Sequence, residues 1–202
     1  MKFRNYLEQV LGNKVAISLL RTMVRYPAKI FTIRGLARTA NASVNETALT
    51  ISDFERLGII KVQPIGRAHQ LSLNKKNYIL NKIIEPSFKA EENTLSELLK
   101  VLKKNLDKKK VIISAALFGS VVKGKEKQDS DIDLLIISND FDLANEIVSG
   151  AVIEVTEMFQ TDLAPIIFSQ KELVSKKNGN LVSSIIANHI MICGKDLESI
   201  IK

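Results

Sequence analysis

The sequence predicts an α+β protein of two domains, and three patterns along its 202 residues support this prediction. Apolar residues recur at helical spacing through the front part, and a short alternating stretch follows them. Two continuous apolar runs, typical of buried strands, lie in the second half. The charge is also divided, because residues 1–90 carry 15 Lys and Arg against 5 Asp and Glu, whereas residues 91–202 carry 14 against 17. A basic front half favours a polyanionic partner.

Three helices and a hairpin are predicted in the front part. The stretch "LGNKVAISLLRTMVRYP" has the apolar spacing of a first helix. Thr32 is the predicted N-cap of a second helix, and Ser43 with Glu46 form a predicted capping box for a third helix that ends at Gly58. Alternating residues on both sides of 64–67 predict a two-stranded hairpin.

This order of elements resembles the winged helix-turn-helix family over about residues 1 to 80. The resemblance implies that the third helix enters the major groove of double-stranded DNA and that the hairpin touches the DNA backbone. Winged helices also bind proteins, and Glu46 would repel phosphate, so a protein partner is the open alternative. The residues expected to bind DNA are Arg34, Arg38, Asn45, Thr47, Thr50, Arg56 and Arg67.

A domain boundary is predicted near residue 88, because the segment around Pro86 is polar and of mixed charge. The predicted domains are 1–88 and 89–202. Two amphipathic helices are predicted in the second domain, and Glu154 in the later one is expected to be solvated. The residues expected on the buried side of that later helix are Leu143, Ile147, Ala151, Val155 and Phe159.

Two carboxylates stand at the start of a predicted strand. The run "DIDLLIIS" opens with Asp131 and Asp133, which project from the same face about 7 Å apart, because side chains alternate along a strand. Two acids so close repel each other, and a divalent cation or a shared proton relieves the repulsion. With oxygen ligands only, Mg²⁺ or Mn²⁺ fits best.

The preceding strand, "VIISAALFGS", ends in residues suited to phosphates. Gly119 lets the backbone come close to a ligand, Ser120 offers a hydroxyl, and Lys123 adds positive charge. A nucleoside triphosphate suits such a place. The combination predicts nucleotidyl transfer by two-metal catalysis, with pyrophosphate as the leaving group.

Gly-Ser, a spacer of ten residues and Asp-x-Asp together resemble the DNA polymerase beta nucleotidyltransferase superfamily, and most of all its minimal nucleotidyltransferases. The resemblance implies a mixed β-sheet flanked by helices, ATP as substrate, Ser120 on the triphosphate, and Asp131 with Asp133 as metal ligands. Many relatives carry arginine directly after the serine, where this sequence has Val121.

The family's third carboxylate comes from a neighbouring strand. Asp162, at the start of "TDLAPIIF", is the candidate for this catalytic and metal-binding position. If the equivalent position is instead Ala164, the third carboxylate is missing and activity is weak or lost. Pro165 predicts an edge strand.

The leading hypothesis is transfer of AMP from ATP to a macromolecular acceptor, coupled to DNA binding. Similar domains act as antitoxins that adenylylate a HEPN-type toxin. The alternative is a transcriptional regulator without catalytic activity. The sequence has no transmembrane run and no signal peptide, so a cytoplasmic protein is expected. Its single cysteine excludes an intrachain disulfide, and its oligomeric state stays open, with a dimer as one expectation.

Overall fold

The structure is a computed structural model that describes residues 7–66, 68–107, 109–127 and 130–202. It divides the chain into two compact units, Met1–Asn93 and Thr94–Lys202. The division therefore follows Asn93 rather than the predicted boundary at residue 88, because Phe88 is buried in the core of the first unit. None of the helices within the described ranges has both the length and the apolar character that crossing a membrane requires.

The first unit consists of short helices and a two-stranded antiparallel sheet. Its elements are α1 (Leu7–Leu11), α2 (Lys14–Arg25), α3 (Ile33–Thr39), α4 (Val44–Arg56), β1 (Ile60–Ile65), β2 (Ala68–Leu73), a π-helical turn (Leu80–Ile84) and α5 (Glu85–Glu92).

Local signals explain where these elements begin. The Thr32 hydroxyl accepts a hydrogen bond from the Gly35 N–H at 3.1 Å, which confirms the predicted cap of α3. The predicted capping box of α4 is wrong, since the Ser43 side chain makes no cap hydrogen bond. The Ser43 carbonyl instead accepts the Thr47 hydroxyl at 2.7 Å. Strands β1 and β2 pair from Ile60↔Leu73 to Ile65↔Ala68, which confirms the hairpin.

A backbone bridge joins the hairpin to the segment before α3. Phe31, in the segment before α3, exchanges hydrogen bonds with Leu71 of β2, at 3.3 Å and 2.7 Å. Both side chains are buried in one core with Phe54 of α4 and Leu20 of α2. The helices and the hairpin therefore share one hydrophobic core.

The second unit is built around a four-stranded mixed sheet. The strand order is β5-β4-β3-β6; β3 is antiparallel to both of its neighbours, and β4 is parallel to β5. The elements are α6 (Thr94–Leu106), β3 (Ser114–Phe118), α7 (Gly119–Val122), β4 (Ile132–Ile137), α8 (Phe141–Phe159), β5 (Leu163–Phe168), α9 (Gln170–Ser175), α10 (Asn180–Ala187), β6 (Ile190–Gly194) and α11 (Leu197–Ile200).

Both faces of this sheet are covered, which explains the continuous apolar runs in the sequence. Leu134 and Ile136 of β4 belong to the core that contains α6 and α8. Leu135 and Ile137, on the opposite face, belong to the core that contains α9, α10 and α11. By the alternation along the strand, Asp133 lies on the same face as Leu135.

Helix α8 buries most of the predicted stripe but not its first residue. Leu143 is 45% exposed, whereas Ala144 and Val148 are buried together with the predicted Ala151 and Val155. The predicted Ile147 and Phe159 are partly buried against the same core, which also contains residues of α6. Glu154, expected to be solvated, accepts hydrogen bonds from Lys104 and Asn105 of α6, each at 2.8 Å.

Candidate active site and nucleic-acid interface

The two halves of the Gly-Ser and Asp-x-Asp pattern meet where β3 ends and β4 begins. Phe118, the last residue of β3, pairs directly with Asp133 of β4. The next residue, Gly119, has a φ of +79°, and a Cβ atom built on it would lie 1.8 Å from Oδ2 of Asp133. The Asp133 carboxylate therefore occupies the space that any side chain at position 119 would need.

A tight turn follows Gly119 and fixes the backbone around Ser120. The Ser120 carbonyl accepts hydrogen bonds from the N–H groups of Lys123 at 3.1 Å and Lys125 at 3.0 Å. Ser120 is half-buried, and Lys123 is exposed. Val121 packs against the core beneath, so its side chain contributes to packing and offers no polar group to a ligand.

The paired carboxylates differ in environment. Asp131 is exposed and Asp133 is half-buried. Burial raises the pKa of the Asp133 carboxyl above its ordinary value, and the negative charge of Asp131 raises this pKa further. Within the described part of the chain, neither carboxylate is in an ion pair. Carboxylate oxygens are the ligands that divalent ions such as Mg²⁺ or Mn²⁺ prefer, and Asp131 and Asp133 would hold such an ion.

The register between β4 and β5 decides where a third carboxylate could stand. Ala164 lies directly opposite Asp133. Asp162 precedes β5, is exposed, and its carbonyl accepts the Ile132 N–H at 2.8 Å. Among the residues that the structure describes, no three His, Cys, Asp or Glu side chains are arranged to hold a metal ion. Asp162 as a ligand therefore stays a prediction, and a methyl group faces Asp133 from β5.

Two hydroxyl residues that the sequence analysis did not select hold the loops beside the carboxylates. The Thr161 hydroxyl donates to the Ser130 carbonyl at 3.3 Å, and the Ser130 hydroxyl accepts the Lys127 N–H at 2.9 Å. The first bond connects the segment before β4 to the segment before β5, and the second lies within the segment before β4. Their only sequence signal is a small hydroxyl residue directly before each acid, Asp131 and Asp162.

The structure corrects the expected DNA contacts on α4. Thr47 is 0% exposed and donates its hydroxyl to Ser43, so it cannot reach a base edge. Asn45 is exposed and Thr50 is half-buried. The most exposed large hydrophobic side chain on this helix is Leu49, at 71%, which the sequence analysis did not select.

The arginines of the first unit differ in availability. Arg56 donates to Asp53 at 2.8 Å, so its charge is already balanced. Arg34 and Arg38 are exposed on α3 and have no ion-pair partner within the described ranges. Arg67, expected at the tip of the hairpin, lies outside the described residues.

Comparison with known proteins supports the chemistry suggested by this geometry. Residues 95–186 match the family model described as a nucleotidyltransferase domain. This matched stretch lies within the second unit and includes Gly119, Ser120, Asp131, Asp133 and Asp162. No curated protein matches the chain.

Several solved structures match this chain, and toxin-antitoxin structures are among them. A toxin-antitoxin crystallised with AMP-PNP is 18% identical with a TM-score of 0.36, and the match covers 52% of this chain and 79% of that one. A mutant of the toxin-antitoxin MntA-HpeT is 16% identical, with the same coverage and TM-score. TrmBL2, an archaeal chromatin protein described as having a novel mode of DNA binding, is 17% identical with a TM-score of 0.30, over 90% of this chain and 75% of that one.

Replacing Gly119 by alanine tests the contact with Asp133. We expect Gly119→Ala to lower the free energy of unfolding by about 2 to 4 kcal/mol, since it adds a clash with Asp133 to the backbone strain of a positive φ. The matched control is Gly124→Ala, which has a φ of +59° and no atom within 4 Å of the added Cβ. The free energy of unfolding of this control should fall by only about 1 kcal/mol. Equal losses in urea unfolding would show that the contact is not tight.

The raised pKa of Asp133 gives a second prediction. Because this pKa is higher in the folded chain than in the unfolded chain, the stability from this group is present at low pH and is lost as pH rises through the folded pKa. We expect Asp133→Asn to raise the melting temperature at pH 7 without divalent ions. The gain should shrink as the pH falls towards about 4.

Asp162→Asn is the control for this measurement. Because Asp162 is exposed, this substitution should leave the melting temperature unchanged. Adding Mn²⁺ should raise the melting temperature of the wild type and leave that of Asp133→Asn unchanged. An Asp133→Asn variant less stable than the wild type at pH 7 without metal would contradict the assignment.

Proposed function

We propose that the chain transfers a nucleoside monophosphate, AMP from ATP, to a macromolecular acceptor, and that its first unit binds double-stranded DNA. The observation that carries the transferase proposal is the contact between the Asp133 carboxylate and the Gly119 backbone. It joins the phosphate-binding turn to the paired carboxylates inside a stretch that matches the nucleotidyltransferase model.

The chemistry assigns a role to each of these residues. A hydroxyl of the acceptor attacks the α-phosphorus of ATP and loses its proton, a new P–O bond forms, and the bond to the β-phosphate breaks to release pyrophosphate. Ser120 and Lys123 bind the phosphates through a hydroxyl and an ammonium group. Asp131 and Asp133 would hold Mg²⁺ or Mn²⁺, which supplies charge neutralisation for the phosphates when it is bound.

The acceptor we propose is a protein, a HEPN-type toxin that the chain inactivates by adenylylation. This part of the proposal rests on the resemblance to minimal nucleotidyltransferases and is an argument by analogy. A DNA-binding unit on the same chain would suit autoregulation of the operon that encodes such a pair.

A transfer assay tests the enzyme. The chain is incubated with ATP labelled on the α-phosphate, Mg²⁺, and either a cell extract or the product of the neighbouring gene. We expect the wild type to label an acceptor and Asp131→Asn/Asp133→Asn to lose at least about 100-fold of this activity, because the carboxylates that would hold the metal are gone. Absence of label under conditions where ATP binding is demonstrated would refute the transferase.

A second candidate function is a DNA-binding regulator that binds a nucleotide without transferring it. The alanine opposite Asp133 favours it, because β5 supplies no carboxylate at that register position. Ala164→Asp distinguishes the two functions in the same assay. If the wild type binds ATP without labelling an acceptor and Ala164→Asp gains labelling, the regulator is the correct description.

The DNA-binding proposal is supported by the exposed arginines of α3 and by Asn45 on α4. Two features of α4 oppose it. Glu46 places a negative charge in its first turn, and Leu49 exposes a large apolar side chain. A partner protein is therefore the alternative occupant of this surface.

Salt dependence separates these partners. We expect affinity for a duplex to fall steeply with salt, and Arg34→Ala to reduce the slope of log K against log salt by about 1, since one phosphate contact is lost. Arg21→Ala is the matched control, because the Arg21 guanidinium is already bonded to Glu91 at 2.8 Å. Equal effects of the two substitutions, or binding that salt does not change, would direct the search to a protein partner.

A further inference from the structure

The loop between β3 and β4 carries three lysines near the paired carboxylates. Lys123, Lys125 and Lys127 are all exposed, and within the described ranges none of them is in an ion pair. A triphosphate that approaches Asp131 and Asp133 adds further negative charge to this place. The proposed function uses only Lys123, so the roles of the other two lysines are open.

The backbone returns Lys125 to the phosphate-binding turn. Gly124, with a φ of +59°, reverses the chain, and its N–H donates to the Val121 carbonyl at 3.2 Å. The next N–H, that of Lys125, donates to the Ser120 carbonyl at 3.0 Å. The backbone of Lys125 is therefore held beside Ser120 although four residues lie between them in the sequence.

Lys127 belongs to a different turn. Its N–H donates to the Ser130 hydroxyl at 2.9 Å, and its carbonyl accepts the Ser130 N–H at 3.0 Å. These bonds hold the backbone of Lys127 to Ser130, the residue before Asp131. The two lysines have the same charge and exposure, but the backbone connects only Lys125 to Ser120.

Apart from Lys123, no side chain of the turn at residues 119–124 is positively charged. Val121 and Val122 both pack against the core. A lysine carries a compact positive charge on a flexible four-carbon stem, which lets the ammonium group reach a ligand beside its own backbone.

We propose that Lys125 is a second triphosphate-binding residue, which contacts the phosphates together with Ser120 and Lys123. This inference rests on the proposed function, because it assigns a further residue to the same nucleotide site. It predicts that Lys125 recognises the phosphate chain and makes no contribution to binding of the nucleoside.

The test measures binding of ATP, AMP and adenosine to the full chain by calorimetry in the presence of Mg²⁺. We expect Lys125→Ala to weaken ATP binding about tenfold, as for the loss of one charge-assisted hydrogen bond, and to leave adenosine binding unchanged. Lys125→Arg should retain most of the affinity for ATP. Lys127→Ala is the matched control and should stay within about twofold of the wild type.

Failure of the inference about Lys125 can be distinguished from failure of the proposed function. If the wild type binds no ATP, both the proposed function and this inference are wrong. If the wild type binds ATP and Lys125→Ala binds it equally well, only the inference is wrong. The inference is also wrong if Lys125→Ala weakens ATP and adenosine binding by the same factor, or if Lys127→Ala has the larger effect.

Discussion

The contact between the Asp133 carboxylate and the backbone of Gly119 is the constraint on which the candidate site depends. It leaves no room for a side chain at position 119 in this geometry and places the turn at Ser120 beside the carboxylate. An acid in this position is partly removed from water beside another acid, which is unfavourable without a cation. An unfavourable electrostatic interaction is therefore present near the start of β4, a strand whose other residues are buried.

Much of the second unit could be predicted because its strands are covered on both faces. A strand of this kind shows a continuous apolar run, so the position of β4 follows from the sequence to within one residue at each end. The pairing between strands does not follow from the sequence, because a parallel register depends on tertiary packing. Only the register between β4 and β5 shows that Ala164, and not Asp162, lies opposite Asp133.

The errors in the helices have a common physical cause. Helix α8 is apolar over much of its surface, so several stripes satisfy the helical period and contact with α6 selects one of them. Thr47 is polar, but its hydroxyl bonds to the backbone one turn earlier, which allows it to be buried. In both cases the sequence pattern is compatible with two orientations, and a neighbouring element or a local hydrogen bond decides between them.

The edge position of β5 has a consequence for assembly. An exposed edge strand offers free backbone groups to any extended chain, and proline removes a donor from such an edge. Pro165 stands in the middle of β5, opposite Leu134. Strand addition from another molecule is therefore disfavoured at the margin of the sheet that adjoins the carboxylates.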